Sequence, residues 1–131
     1  MGNKAKGSNR ERELIKMFHG AGWAPVRVAG SGSAPIPCPD IVAANGTRRI
    51  AVECKSTRKS QLYVPFDKVE QLSLFCRVFG AEAWLGVRFD RQEWQFYNPQ
   101  ELPKTEKNYI VSQNDTSKSS SFTQLIETKQ P

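Results

Sequence analysis

The sequence predicts an α/β domain, on three observations. Leu14, Ile15, Phe18 and Ala21 recur at helical spacing after a polar start, and Val69, Leu72, Phe75, Cys76 and Phe79 do so further along. Between these helices an Asn45-Gly46 pair, the strongest short signal for a hairpin turn, joins one apolar run to an alternating one. At 131 residues the chain makes one domain, with room for a single core.

Taken in order, residues 1–8 are polar and read as a loose arm. Ser8-Asn9-Arg10-Glu11 supplies a capping-box start for the first helix, which runs to Gly22. A strand follows over Ala24 to Ala29, then a loop rich in Gly, Ser and Pro from Gly30 to Pro39. Asp40 to Ala44 is a short apolar strand, and Arg48 to Ser56 alternates with Ile50, Val52 and Cys54 on one face. The second helix covers Phe66 to Phe79 and stops at Gly80. Ala83 to Phe89 and Trp94 to Tyr97 are strands joined by a charged turn. Pro99 to Asn108 connects to a short strand at Tyr109-Ile110-Val111. Residues 113–131 read as a polar, flexible tail, with one turn of helix over Phe122 to Glu127. There is no internal repeat.

The hairpin gathers charge. With Asn45 and Gly46 as the two loop residues, Ala44 pairs with Thr47 and Asp40 with Ala51. Opposed residues share a side of the sheet, so Asp40, Glu53 and Lys55 share one face, with Asp40 a diagonal step from Glu53. A three-residue loop or a bulge would break that parity. Two carboxylates and an ammonium brought together can hold a divalent metal and stabilise a cleaving phosphodiester.

Composition agrees. Lys+Arg 19 against Asp+Glu 13 gives a formal net charge of +6, which favours polyanionic partners. No stretch is apolar for long enough to span a bilayer, and the first residues lack the apolar core of a signal peptide. Cys38, Cys54 and Cys76 form an odd, widely spaced set without a Cys-x-x-Cys pair, as expected of reduced thiols in the cytoplasm rather than a zinc site. His19, the one histidine, falls near the end of the first helix and reads as a surface residue. Ser31 and Ser33 in the loop are candidate phosphate contacts. Arg48-Arg49 and Arg58-Lys59 read either as contacts to a DNA backbone or as solvated charges.

The order of motifs resembles the archaeal Holliday junction resolvases, members of the restriction-endonuclease-like nuclease superfamily. Glu11-Arg12-Glu13-Leu14-Ile15-Lys16 resembles that family's opening helix, and Val26-Arg27-Val28-Ala29-Gly30-Ser31 its first strand and loop. Ile36-Pro37-Cys38-Pro39-Asp40-Ile41-Val42-Ala43 and Val52-Glu53-Cys54-Lys55 resemble its metal-binding hairpin, and Leu62-Tyr63-Val64 with the second helix continues the likeness. It covers residues 8–98 and fades over the polar C-terminal third.

The resemblance implies a central mixed sheet flanked by helices, and a structure-selective endodeoxyribonuclease that nicks four-way junctions in symmetric pairs to leave 5′-phosphate ends. It implies Mg²⁺, with Mn²⁺ as a substitute, held by Asp40, Glu53 and the Cys54 backbone carbonyl. Glu11 would complete the site as a ligand or through an intervening water. Lys55 would act on the attacking water, and Arg12 and Arg27 would hold flanking phosphates. Phe75 and Phe79 would lie in a homodimer interface rather than in the core of a monomer. Such an enzyme would work in the nucleoid-bearing cytoplasm of an archaeal source. Sequence alone does not assign a sliding clamp or helicase as a partner. The competing readings are another nuclease of the superfamily, acting on duplex or flapped DNA, and a non-catalytic junction-binding protein.

Overall fold

The computed structural model describes residues 2–30 and 35–127. Helix α1 (Gly2–Gly20) opens the chain, with Leu14 and Phe18 one turn apart on its buried side. It starts at Gly2, not at Ser8, so the expected loose arm is instead the helix's first turns. Ser8 caps nothing; its hydroxyl accepts a hydrogen bond from Arg27 (3.0 Å). Strands β1 (Ala24–Arg27), β2 (Ile41–Ala44), β3 (Arg49–Thr57) and β4 (Gln61–Pro65) lead to helix α2 (Phe66–Phe79). Then come β5 (Glu82–Phe89), β6 (Gln95–Tyr97), a 3-10 turn at Pro99–Glu101, β7 (Asn108–Ser112), β8 (Ser119–Ser120) and helix α3 (Phe122–Glu127). Gly80 ends α2 in the left-handed conformation (φ 85°), and its N–H donates to the Cys76 carbonyl.

The main sheet has the order β1-β2-β3-β5-β6-β8 and is mixed: β3 and β5 are parallel, and the other neighbours are antiparallel. Helix α2 provides the crossover that a parallel pair needs. β4 and β7 leave this sheet and form their own antiparallel ribbon; the expected strand at Tyr109-Ile110-Val111 is the centre of β7, while β4 and the pairing were not revealed by the sequence signals.

β3 divides the core by alternation. Ile50 and Val52 pack with Leu14, Phe18, Ile41, Phe96 and Leu125 beneath α1 and α3. Ala51 packs with Val69, Leu72, Cys76, Leu85 and the ribbon's Val111 beneath α2. Gly86 of β5 is required by this packing: a Cβ there would stand 2.9 Å from Val52 Cγ1 and 3.2 Å from Phe96 Cε1.

Two expectations are corrected. Within the segment read as a flexible tail, Ser119–Ser120 adds β8 to the sheet; the expected helix over Phe122 to Glu127 forms as α3 and buries Leu125 completely, and residues 128–131 lie outside the described residues. Arg48, read as a DNA contact or a solvated charge, is only 5 % exposed. Its Nε and Nη2 each donate to Glu82 at 2.9 Å, Nη1 donates to the Leu125 carbonyl at 2.7 Å, and the guanidinium lies over the Trp23 ring. One side chain thus ties the hairpin to β5, to α3 and to the loop after α1. The low-complexity composition of 113–121 hid this because the partners lie far away in sequence. Breaking such a pair takes the guanidinium from Glu82, which keeps the Trp84 Nε1 donor (3.1 Å), and leaves the Leu125 carbonyl without its Arg48 donor. Arg48→Met should therefore cost on the order of 3 kcal/mol in urea denaturation, with DNA affinity of the folded protein unchanged.

Candidate active site

The expected hairpin register is two residues off. Asn45 N–H donates to the Arg48 carbonyl (3.1 Å), so Gly46 (φ 96°) and Thr47, not Asn45 and Gly46, are the central pair of the turn. Asn45 Oδ1 fixes it by accepting from the N–H groups of Thr47 (3.0 Å) and Arg48 (2.7 Å). Ala44 therefore pairs with Arg49, Val42 with Ala51 and Ile41 with Val52.

At Asp40 strict alternation ends. Its N–H donates to the carbonyl of Val52 (3.1 Å), the residue already opposite Ile41, so two residues of one strand meet one of the other, as in a β-bulge. Asp40 O accepts from Val28 N–H (2.8 Å), which ties the same point to the end of β1. The carboxylate is turned so that Oδ2 accepts from the Cys54 N–H (2.8 Å). Asp40 thus meets β3 between Glu53 and Cys54, through a bulge rather than through shared parity.

Glu53 and Lys55 follow β3's alternation onto the α2 side, where Glu53 neighbours Leu85 of β5. Lys55 Nζ lies 3.6 Å from Glu53 Oε2. Burial and the charge of Asp40 push the Glu53 carboxyl up to about 7, against a smaller opposing pull from Lys55 and Lys68. Lys68, in the first turn of α2, is a neighbour the sequence reading missed, since β4 separates it from the hairpin. Glu11 lies on the α1 side. It accepts from Arg27 Nε (2.9 Å), while burial and then the Asp40 charge raise its carboxyl. Asp40 therefore acts electrostatically on both glutamates.

Among the described residues, no three His, Cys, Asp or Glu side chains gather into a set able to hold a metal. The structure does not bring Glu11 into such a set with Asp40 and Glu53; it keeps Glu11 with Arg27. What remains is a pair of hard carboxylates, in which the charge of Asp40 raises the proton affinity of Glu53, beside the Cys54 carbonyl. This donor set fits a hard divalent cation that completes its shell with water. The Cys54 thiol packs toward α1, and burial pushes it well above the ordinary range, so it is an inert core group.

A cleft of about 540 Å³ opens at the 54–57 end of β3, walled by Gly7 and Glu11 of α1 and by Arg58 and Lys59. The structure thus places Arg58 and Lys59 in the cleft that Glu11 and Lys55 also line. Arg12 is exposed on α1. Arg49 lies at the far end of β3 and donates to the Gly80 carbonyl (2.8 Å), capping α2. Ser31 and Ser33 fall outside the described residues. Ser56 and Thr57 were missed as cleft residues; the signal was the alternating run itself, which continues one residue past its expected end. No helix among the described residues is long and apolar enough to cross a membrane.

Comparison with known proteins bears on this geometry. The family model for the archaeal Holliday junction resolvase (Hjc) matches residues 2–130. A crossover junction endodeoxyribonuclease Hjc from Archaeoglobus fulgidus is 46 % identical over 111 residues, which is 85 % of this chain and 82 % of that protein. The protein of the same name from Methanocaldococcus jannaschii is 32 % identical over 108 residues, 82 % of this chain and 77 % of the relative. The crystal structure of the Archaeoglobus fulgidus Hjc, a Holliday junction resolvase, superposes with a TM-score of 0.75 at 45 % identity, covering 81 % of this chain and 88 % of that one. That family implies a nuclease dependent on a divalent metal, which the carboxylate pair accommodates. With sequence relatives, fold and site in agreement, the chain belongs to the archaeal Holliday junction resolvase (Hjc) family.

Proposed function

We propose that this protein cuts four-way DNA junctions by metal-dependent hydrolysis, in paired symmetric nicks that leave 5′-phosphate and 3′-hydroxyl ends. The observation that carries the reading is the bulge that sets the Asp40 carboxylate against the Cys54 amide, next to Glu53 and Lys55. Asp40, Glu53 and the Cys54 carbonyl would hold Mg²⁺, or Mn²⁺ in its place, which supplies Lewis-acid polarisation of the scissile phosphate. Lys55 orients the attacking water, takes up its proton or passes it on, and offsets the charge that develops on phosphorus. Arg27, Arg58 and Lys59 hold backbone phosphates around the cleft, with Arg12 reaching them from the exposed side of α1 and Ser31 and Ser33 from the adjoining loop. Glu11 keeps the Arg27 guanidinium in place, or acts on the metal through water once DNA competes for that guanidinium.

A four-way junction offers two equivalent strands, and a two-fold dimer offers two equivalent sites. The exposed apolar face of α2 supports such a dimer: Leu74 is 53 % exposed, Val78 83 % and Phe79 51 %. Phe75 stacks on Phe79 with ring centroids 5.0 Å apart. An apolar strip of this kind favours burial against a second copy. Work on junction DNA would place the enzyme at the nucleoid.

Three outcomes are expected. Glu53→Gln and Lys55→Ala should each reduce cutting of an end-labelled immobile junction by at least about 10²-fold, as for loss of a charge-stabilising group, while junction binding in a gel shift persists. Equal cutting of a linear duplex by the wild type would instead point to a different nuclease specificity. Val78→Glu with Phe79→Glu should convert a dimer to a monomer in sedimentation, and abolish paired nicking before single nicking.

The third outcome concerns pH. The Glu53 carboxyl ordinarily titrates at 4.5 and here at about 7. Between those values the folded chain holds the proton and the unfolded chain does not, so stability falls as pH rises. Metal-free protein should lose on the order of 3 kcal/mol from this group between pH 5 and pH 8, and Glu53→Gln should remove that slope in urea titrations. Mg²⁺ competes with the same proton, so its affinity, read by calorimetry, should climb through pH 7.

A further inference from the structure

One cluster of charge on the α1 side of the sheet has no part in the mechanism above. Glu13 of α1 accepts from Trp94 Nε1 (2.8 Å) and from Arg88 Nε (3.2 Å) on Oε1, and its Oε2 lies 3.4 Å from Arg10 Nη1. Trp94 is buried, so its indole N–H anchors one oxygen of a carboxylate that is itself 38 % exposed. The pairs Arg27–Glu11 and Arg48–Glu82 each match one cation to one anion. Here two partly exposed guanidiniums share a single carboxylate, which leaves one net positive charge able to attract an anion.

Position supplies the anion. Arg88 lies opposite Ser56 of β3, a residue that lines the cleft. Arg10 lies on the turn of α1 between Gly7 and Glu11, which form the cleft's other wall. At 100° per residue, Arg10 and Glu13 fall on one flank of α1, toward β5 and β6, and Ser8 falls on the other, where it meets Arg27 of β1. Guanidinium therefore neighbours the cleft's lining residues on both flanks, Arg27 through Glu11 and Arg88 through Ser56. β1 and β5 are three strand spacings apart, about 14 Å, so the two sides cannot grip one phosphate.

We infer that Arg10 and Arg88, held by Glu13, form a second binding site for a backbone phosphate, on the β5 side of the cleft. The inference rests on the nuclease reading above and adds to it the path of the bound strand, which crosses β3 from Arg27 toward Arg88. Glu13 is a positioning residue: by occupying Arg88 Nε it fixes the plane of the guanidinium that meets the phosphate.

The test is fluorescence anisotropy on an immobile four-way junction, in a Glu53→Gln background to prevent cutting, with salt varied between about 50 and 200 mM. Arg88→Ala should weaken binding several-fold and reduce the slope of log K against log salt by about 1, the signature of one lost phosphate contact. Arg88→Lys should restore most of that slope. Trp94→Phe removes a hydrogen bond of the same network but no cation, so it should lower thermal stability and leave the slope unchanged. Glu13→Ala should raise KM for junction cleavage with kcat near that of the wild type. If Arg88→Ala fails to fold, Arg10→Ala carries the same expected loss of slope. A wild-type slope in Arg88→Ala, or in Arg10→Ala where that replaces it, would make the cluster a structural ion pair and overturn the inference. Failure of the parent protein to bind the junction at all would overturn the nuclease reading instead, and is distinguished by that parent measurement.

Discussion

The site depends on one hydrogen bond, from the Cys54 amide to the Asp40 carboxylate (2.8 Å). A regular antiparallel pair would satisfy backbone groups with backbone groups. Here the bulge at Asp40 gives Val52's carbonyl a second donor and lets a side-chain oxygen take the amide of Cys54. The carboxylate is locked against β3 by that contact. Its charge then acts on Glu53 toward α2 and on Glu11 toward α1, and both carboxyls rise because of it. The site is thus assembled in tension, with like charges held together by backbone geometry. A cation relieves that tension, and protonation of Glu53 relieves it where no cation is bound.

The same strand explains why the fold tolerates this tension. β3 is the third of the sheet's six strands: β2 and β5 cover both its sides, and its first half is buried on both faces through Ile50, Ala51 and Val52. Apolar burial on both faces anchors the strand there, so the strain at Glu53 and Lys55 is carried by a segment that cannot shift register without exposing three core side chains. The Arg48 clamp fixes the turn end of the same hairpin by joining it to Glu82 and to the last helix. One end of the hairpin is held for stability and the other end is left charged for chemistry.

Much of this was legible in the sequence. Apolar spacing located α2 to the residue, and the resemblance carried by Pro39-Asp40 and Glu53-Cys54-Lys55 led to the family that the comparisons show. The alternation of β3 placed Glu53 and Lys55 together. Local signals failed where the deciding partner was distant. The Ser8 capping box was outweighed by continuation of helix to Gly2, and Asn45-Gly46 turned one residue later than its preferred form because Asn45's side chain could cap the turn from outside. Arg48 and Arg49 are adjacent and chemically alike, yet one is buried on Glu82 and the other caps α2. No single-residue property separates them, because Glu82, Leu125 and Gly80 lie 31 residues or more away.

Charge placement links these points to the substrate. The glutamates of α1 on this side of the sheet are countered by arginine, Glu11 by Arg27 and Glu13 by Arg88 and Arg10, whereas Glu53 of the Asp40–Glu53 pair is countered by Lys55. Acidic groups near a polyanion raise its cost of approach unless each is neutralised. Here the guanidiniums neutralise those that orient them, and the pair left over is the one suited to a metal. The net charge of +6 is therefore only the coarse expression of a finer arrangement, in which negative charge is kept where a cation can bridge it to phosphate. That arrangement distinguishes a cutting surface from a merely basic one, since a protein that only held junctions would have no reason to keep two mutually repelling carboxylates fixed against its central strand.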